Sequence, residues 1–174
     1  MKRSLIVMLA LAALLLSACG SPAPKETQAP SAGVPNPIHE TDEAGLAAAT
    51  GISLPAPKDA ADVSWSYIEL KEEAPIAQMS FTLDGKKAFL RAQATGRTDS
   101  AADISGLYYD WNTTAEAEVA YCKAQVFTNG TAGYIAWLDV APGVQYNLGM
   151  TEGASADDLV KLANAAFVPL QGDA

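Results

Sequence analysis

The sequence predicts an α+β domain, built as an antiparallel meander sheet of about six strands with an N-terminal and a C-terminal helix packed on one face. Three observations predict it. Short segments alternate apolar and polar residues, tight-turn pairs such as Asp84-Gly85 and Asn129-Gly130 separate them, and helical patterns flank the run. Because parallel neighbours need long crossovers, such short turns favour antiparallel pairing.

The first helix is predicted to begin at Thr41, whose hydroxyl can cap it. Asp42-Glu43 follows and places negative charge at the positive end of the helix dipole. Gly51 is predicted to end this helix in a left-handed conformation. Pro55 then prevents helical continuation, since proline lacks a backbone donor.

The strands are predicted from alternation of residue character. Ala77, Met79 and Phe81 alternate with Gln78 and Ser80, so one face of the hairpin is dry and the other wet. The predicted segments are 63–70, 77–83, 87–94, a short edge strand at 106–111, and then 118–127, 133–140 and 144–150.

The second helix is predicted from a capping box. Ser155 is the cap and Asp158 stands in the answering position three residues later. Apolar residues then recur at helical spacing and should face the sheet: Leu159, Leu162, Ala163 and Ala166.

The N-terminal segment is similar to a bacterial lipoprotein signal. Two basic residues precede an apolar run of 12 residues (5–16), and Leu16-Ser17-Ala18-Cys19 follows. That run is too short for a hydrocarbon core of about 30 Å, which needs roughly 20 residues. We expect cleavage between Ala18 and Cys19 and lipid on Cys19. The alternative is an uncleaved helical anchor.

These observations predict four parts of the chain. Residues 1–18 are a cleaved signal peptide, 19–40 a lipidated cysteine with a Pro-rich tether, 41–170 the domain and 171–174 a tail. The expected location is the extracytoplasmic face of the cell membrane. A single acyl chain holds a protein only marginally, whereas the diacylglyceryl group of the lipoproteins it resembles anchors stably.

The charge excludes some partners. Without the signal peptide, nine basic residues oppose 20 acidic ones, a net charge of −11. Nucleic-acid binding requires clustered Lys and Arg, so no nucleic-acid partner is expected. Attraction to anionic lipid head groups is excluded for the same reason, which leaves Cys19 as the membrane attachment.

The remaining cysteine and the histidine offer little chemistry. With Cys19 lipidated, Cys122 has no disulfide partner, and its alternating context predicts a small buried hydrophobic residue. His39 is the only histidine, and it lies in the predicted tether. We therefore expect no metal site, no cofactor and no Ser-His-Asp triad.

No catalytic motif is present in the sequence. GxGxxG, GxxxxGK[ST], HExxH and GxSxG are all missing. Ser105 precedes Gly106 without the preceding glycine of a nucleophile elbow, so it is interpreted as a turn residue. Glu116 and Glu118 would share one side of a strand, as a glycosidase pair does, but solvated strand neighbours explain them equally well. The chain is predicted not to be an enzyme.

Large aromatic residues indicate a binding surface. Arg91 is predicted on the wet side of its strand, where it could pair with Asp103 and hold a loop to the sheet. Tyr108 and Tyr109 are adjacent and would face opposite ways in a strand. The candidate surface consists of Arg91, Asp103, Tyr108, Tyr109, Trp111 and Trp137.

Several short motifs between Asn36 and Ala166 carry a family resemblance: Asn36-Pro37, Gly51, Pro55, Arg91, Asp103-Ile104-Ser105-Gly106, Tyr108, Tyr109, Ala136-Trp137 and Tyr146-Asn147-Leu148. With the lipoprotein signal and tether, the chain resembles a family of Gram-positive lipoproteins with an uncharacterised extracytoplasmic domain. Related domains form the outer part of some anti-sigma-type regulators. The family often has a glycine-aromatic pair after the first helix, where this chain has Gly51-Ile52. The resemblance implies no activity.

Three functions are consistent with the sequence. The first is a lipid-anchored, non-catalytic binding module for an envelope protein, a peptide, a sugar or an apolar ligand held between sheet and helix. The second is an envelope hydrolase that acts on polysaccharide or peptide. The third is an extracytoplasmic sensory or regulatory domain that works with a membrane partner.

Overall fold

A computed structural model describes residues 37–169. The predicted signal peptide, Cys19, most of the tether and the tail lie outside these residues. The elements in chain order are β1 (Ile38–Thr41), α1 (Glu43–Thr50), β2 (Ala61–Ile68), β3 (Ile76–Leu83), β4 (Lys86–Ala94), β5 (Thr113–Val119), β6 (Cys122–Thr128), β7 (Gly133–Asp139), β8 (Val144–Met150) and α2 (Ala156–Ala166).

The strands form one antiparallel sheet with the order β1-β2-β3-β4-β8-β7-β6-β5. The predicted α+β class is confirmed, but the sheet has eight strands rather than about six, and it is not a single meander. Two four-stranded meanders meet where β4 pairs with β8. Residues 95–112, here called the connecting segment, lead from β4 at the centre of the sheet to β5 at its edge.

The two additional strands have separate causes. Ile38–Thr41, mostly within the predicted tether, pairs with β2 as an edge strand. The predicted strand 118–127 is interrupted by a hairpin turn, in which Ala120 has a φ of 51°. Glycine or asparagine usually occupies this left-handed position, and alanine rarely does. The sequence therefore contains no residue that predicts a turn at this point. The predicted strand 106–111 is irregular.

The residue that caps helix α1 lies one position later than expected. The carboxylate of Asp42, not the Thr41 hydroxyl, accepts a 2.8 Å hydrogen bond from the backbone N–H of Gly45. Gly51 ends the helix with a φ of 73°, as predicted. Ile52 directly after it is buried in the core, which holds the helix end against the sheet.

Helix α2 agrees with its predicted capping. The Ser155 hydroxyl accepts a hydrogen bond from the backbone N–H of Asp158 and donates one to the Asp158 carboxylate. That carboxylate also contacts Lys86 of β4 at 3.0 Å, which ties the helix start to the sheet. The predicted apolar stripe is buried in full: Leu159, Leu162, Ala163 and Ala166.

The main core lies between the helices and one face of the sheet, here called the helical face. Strand alternation places Met79, Leu90 and Leu148 on it, and residues of α1 and α2 belong to the same buried cluster. The alternate residues of each strand point to the opposite face, here called the outer face. Neither helix in residues 37–169 has the length and apolarity needed to cross a membrane.

Candidate functional site

The connecting segment lies across the outer face and is held there by side chains of β8. The Gln145 side chain accepts a 2.8 Å hydrogen bond from the N–H of Ala102. The Asn147 amide accepts from the N–H of Ile104 at 3.0 Å and donates to the carbonyl of Ala102 at 3.0 Å. Asn147 is fully buried, so these bonds replace its hydration.

Arg91 of β4 holds the same segment at a second point. Its Nη1 donates to the carbonyl oxygen of Ile104 at 3.0 Å, and its Nε donates to Gln78 at 2.8 Å. The predicted Arg91–Asp103 ion pair does not form: none of the ion pairs within 4.0 Å among residues 37–169 joins them. Burial lowers the pKa of Arg91, while Tyr108 and Asp103 oppose that effect.

Asp103 instead organises the turn that follows it. Its carboxylate accepts hydrogen bonds from the N–H of Ser105 at 2.8 Å and from the Ser105 hydroxyl at 2.6 Å. Gly106 comes next with a φ of 68°, and a side chain there would collide with the Arg91 guanidinium. The N–H and the hydroxyl of Ser105 are both used within this turn, which agrees with its interpretation as a turn residue.

A cleft of about 1060 Å³ opens beside the connecting segment. Its floor consists of β6 and β7, with Ala136 and Leu138 facing outward by strand alternation. The connecting segment, bound over β8, forms one side, and the edge strand β5 forms the other. Ligand sites are typically about 300–1,000 Å³, so the cleft has room for several amino-acid or sugar residues of a ligand.

Carboxylates line both sides of this cleft. Asp99 and Asp103 belong to the connecting segment, and Glu116 and Glu118 belong to β5. Lys123 of β6 is a cation in the same lining, and it pairs across the strands with Glu118. A backbone hydrogen bond and the nearby Arg97 lower the pKa of Asp99, so this group carries charge over a wide pH range. The cleft is therefore strongly negative.

Four aromatic rings extend from the cleft along the connecting segment, and we call them the aromatic row. Phe127 stacks on Tyr134 at 4.7 Å between ring centroids. Trp111 meets Tyr134 edge-on at 5.3 Å, and Tyr109 meets Trp111 edge-on at 5.7 Å. Phe127 and Tyr134 were missed from the sequence, although the apolar content of β6 and β7 was recognised.

The aromatic residues of the predicted surface lie in three different environments. Tyr108 and Tyr109 lie on the connecting segment rather than in a strand, and both are exposed, Tyr108 at 96 %. Trp111 is half-buried against Tyr134. Trp137 is 1 % exposed and its ring stacks on Tyr146 within the main core, while the residue itself is among those that line the cleft.

A buried acid lies at the end of β7. Asp139 is 1 % exposed, and the Tyr121 hydroxyl donates a 2.8 Å hydrogen bond to it. This bond raises the pKa of Tyr121 to about 12. Burial raises the pKa of the Cys122 thiol to about 11, with Asp139 adding to the effect. A thiol with this pKa is a weak nucleophile near neutral pH, in keeping with a packing role.

The acidic and thiol side chains of the described residues do not form a metal cluster. In residues 37–169, no three or more His, Cys, Asp or Glu side chains are grouped so that they could hold a metal ion. The acidic sides of the cleft are consequently not arranged as a coordination site. His39 lies on β1, where its ring stacks on Tyr67 at 4.7 Å.

Comparison with protein-family models, curated proteins and solved structures yields no match for this chain. The class defined by the geometry is a single-sheet α+β domain with an acidic cleft and an aromatic row on its outer face.

Proposed function

We propose that the chain is a lipid-anchored lipoprotein whose domain binds a ligand or partner, without catalysis, on the extracytoplasmic face of the membrane. The cleft on the outer face is the observation that carries the binding part of this proposal. The anchoring part is supported by the cleavage pattern that ends at Cys19, which lies outside the described residues.

The position of the cleft supports binding rather than packing. Its sides come from segments distant in sequence, and the connecting segment is fixed by buried polar side chains rather than left free. Such a preformed, partly apolar concavity with a few polar groups is typical of ligand sites. The exposed Tyr109 belongs to the aromatic row that begins in the cleft, and it adds a large contact surface that needs little ordering on binding.

The variant in which an apolar ligand lies between sheet and helix has less support. That space contains a continuous buried cluster from both helices and from the strands between them. The large cleft lies on the opposite face of the sheet. A sugar, a peptide or an envelope protein is therefore the better class of ligand for this chain.

A photo-crosslinker tests the site directly. Gln125 is exposed on the cleft floor, so p-benzoylphenylalanine at this position would contact the ligand in cells. Ser64, exposed on the outer face of β2, is the matched control position. We expect a discrete adduct at position 125 and none at 64, with its chemical class read by mass spectrometry. The same adducts at both positions, or none, would refute the cleft as the site.

An envelope hydrolase is the second candidate, since Glu116 and Glu118 line one cleft. Both carboxylates are exposed, whereas the general acid of a glycosidase typically lies in a partly apolar pocket. Purified chain incubated with peptidoglycan should release no new reducing or amino ends. Release that Glu116→Gln or Glu118→Gln abolishes would establish hydrolysis instead. An adduct with a membrane protein at position 125 would favour the regulatory role.

A further inference from the structure

The cleft combines negative sides with an apolar floor, and this combination specifies a class of ligand. Asp99 and Asp103 lie on one side, and Glu116 and Glu118 on the other. Between them, Ala136 and Leu138 present small apolar surfaces. A ligand seated here meets apolar contacts below and carboxylates on both flanks.

We infer that the occupant of the cleft is an extended peptide segment that carries Lys or Arg side chains. Lys and Arg lay an aliphatic stem along apolar surface and place a cationic head at its rim, which matches this arrangement. This inference rests on the proposed binding function and adds the chemistry of the ligand to it.

The two carboxylates of β5 are available for such a ligand. Within residues 37–169, no ion pair shorter than 4.0 Å involves Glu116 or Glu118. Four exposed carboxylates and Lys123 line the cleft, and Asp99 already contacts Arg97 at 3.8 Å. The lining therefore keeps an excess of negative charge, which Glu116 and Glu118 of β5 supply without an ion-pair partner in the described part of the chain. A cationic ligand would relieve the repulsion among these like charges, whereas an anionic ligand would add to it.

The spacing of the β5 carboxylates favours a peptide over a small cation. Glu116 and Glu118 project to the same side of one strand, about 6.5–7 Å apart along it. An extended peptide repeats its side chains on one side with the same period, so alternate basic residues can meet both carboxylates. The aromatic row at the end of the cleft offers further contacts, since Arg and Lys bind favourably over Tyr and Trp faces.

The test uses the full chain in a non-ionic detergent and a fluorescein-labelled (Lys-Ala)5 peptide, followed by fluorescence anisotropy. We expect saturable binding that weakens with added salt. The double variant Glu116→Gln/Glu118→Gln should weaken it about three- to tenfold, as expected for loss of two exposed charge pairs. The matched control Glu72→Gln/Glu152→Gln removes the same charge at exposed positions outside the cleft and should change binding less than twofold.

Three further probes separate the outcomes. Equal binding of (Glu-Ala)5, an equal loss in the control variant, or competition by spermidine at the same charge concentration would overturn the peptide inference. Binding of the neutral (Gln-Ala)5 alone, abolished by Gln125→Trp in the cleft floor, would overturn the cationic class but keep the proposed binding function. If (Lys-Ala)5 does not bind, the inference fails, while crosslinking at position 125 still tests the site on its own.

Discussion

The Nη1 atom of Arg91 donates a 3.0 Å hydrogen bond to the carbonyl oxygen of Ile104. This bond joins a central strand to the segment that crosses the outer face, and Gln78 orients the guanidinium through a second bond at 2.8 Å. The segment in turn forms one side of the cleft. The shape of the cleft therefore depends on a few side chains that do not line it.

Replacing Arg91 tests this attachment. Arg91→Ala removes hydrogen bonds from a charged donor, and we expect a loss of about 1–3 kcal/mol in the free energy of unfolding. Urea unfolding followed by tryptophan fluorescence measures it. Lys87→Ala, at an exposed position on the same strand, is the control and should stay within about 0.5 kcal/mol. Asp103→Asn should cost much less than Arg91→Ala. Equal losses in the free energy of unfolding would instead support the Arg91–Asp103 ion pair predicted from the sequence.

Asn147 should be the more sensitive position. Its buried amide satisfies both the N–H of Ile104 and the carbonyl of Ala102, and Asn147→Ala would leave these backbone groups without partners. Unsatisfied buried groups cost about 1–3 kcal/mol each, so we expect a total loss of about 2–4 kcal/mol. The exposed Asn112→Ala variant is the control. A loss no larger than that of Asn112→Ala in the same urea titration would contradict the role given to Asn147.

Stability should fall at alkaline pH. The pKa of Cys122 is raised to about 11 and that of Tyr121 to about 12, and burial also raises the pKa values of Tyr134 and Tyr146. The folded state holds these protons more tightly than the unfolded state. This stabilisation is complete below the unfolded pKa values, near 9 for the thiol and 10 for tyrosine, and is lost as pH rises through the folded values.

Thermal unfolding as a function of pH measures this linkage. The Tm should be insensitive to these groups from pH 7 to about 9 and should then fall steadily towards pH 12. Tyr121→Phe should make the fall above pH 10 less steep, because one of the linked protons is gone. Tyr109→Phe, exposed on the connecting segment, is the control. A wild-type Tm that rises above pH 10 would show the opposite linkage.

Local signals in the sequence predict much of the fold. The Asp84-Gly85 turn forms with both residues at positive φ, and the Ser155 capping box and the glycine end of α1 appear where expected. Each depends on residues close in sequence, whose conformational preferences act independently of the rest of the chain. The Ala120 turn was missed because tertiary pairing of β5 with β6 imposes a conformation that alanine disfavours.

The candidate site was predictable only in fragments. Arg91, Tyr108 and Tyr109 were singled out individually, but the cleft arises from the order of strands in the sheet, which places β5 at the edge and the connecting segment across β8. No spacing in the sequence encodes that order. Trp137 was a candidate as one of the large aromatic residues, and alternation alone does not tell which face of a sheet the helices cover; its ring lies in the main core on the helical face.

Membrane attachment through Cys19 is tested most directly by one measurement. Cells expressing the wild-type chain and Cys19→Ser are fractionated, and the mass of the mature N-terminus is determined. We predict that the wild-type chain is in the membrane fraction, cut before Cys19, with a diacylglyceryl group on that residue. Cys19→Ser should be released from membranes or retain its signal. A Cys19→Ser chain that stays membrane-bound and is normally processed would contradict attachment through Cys19.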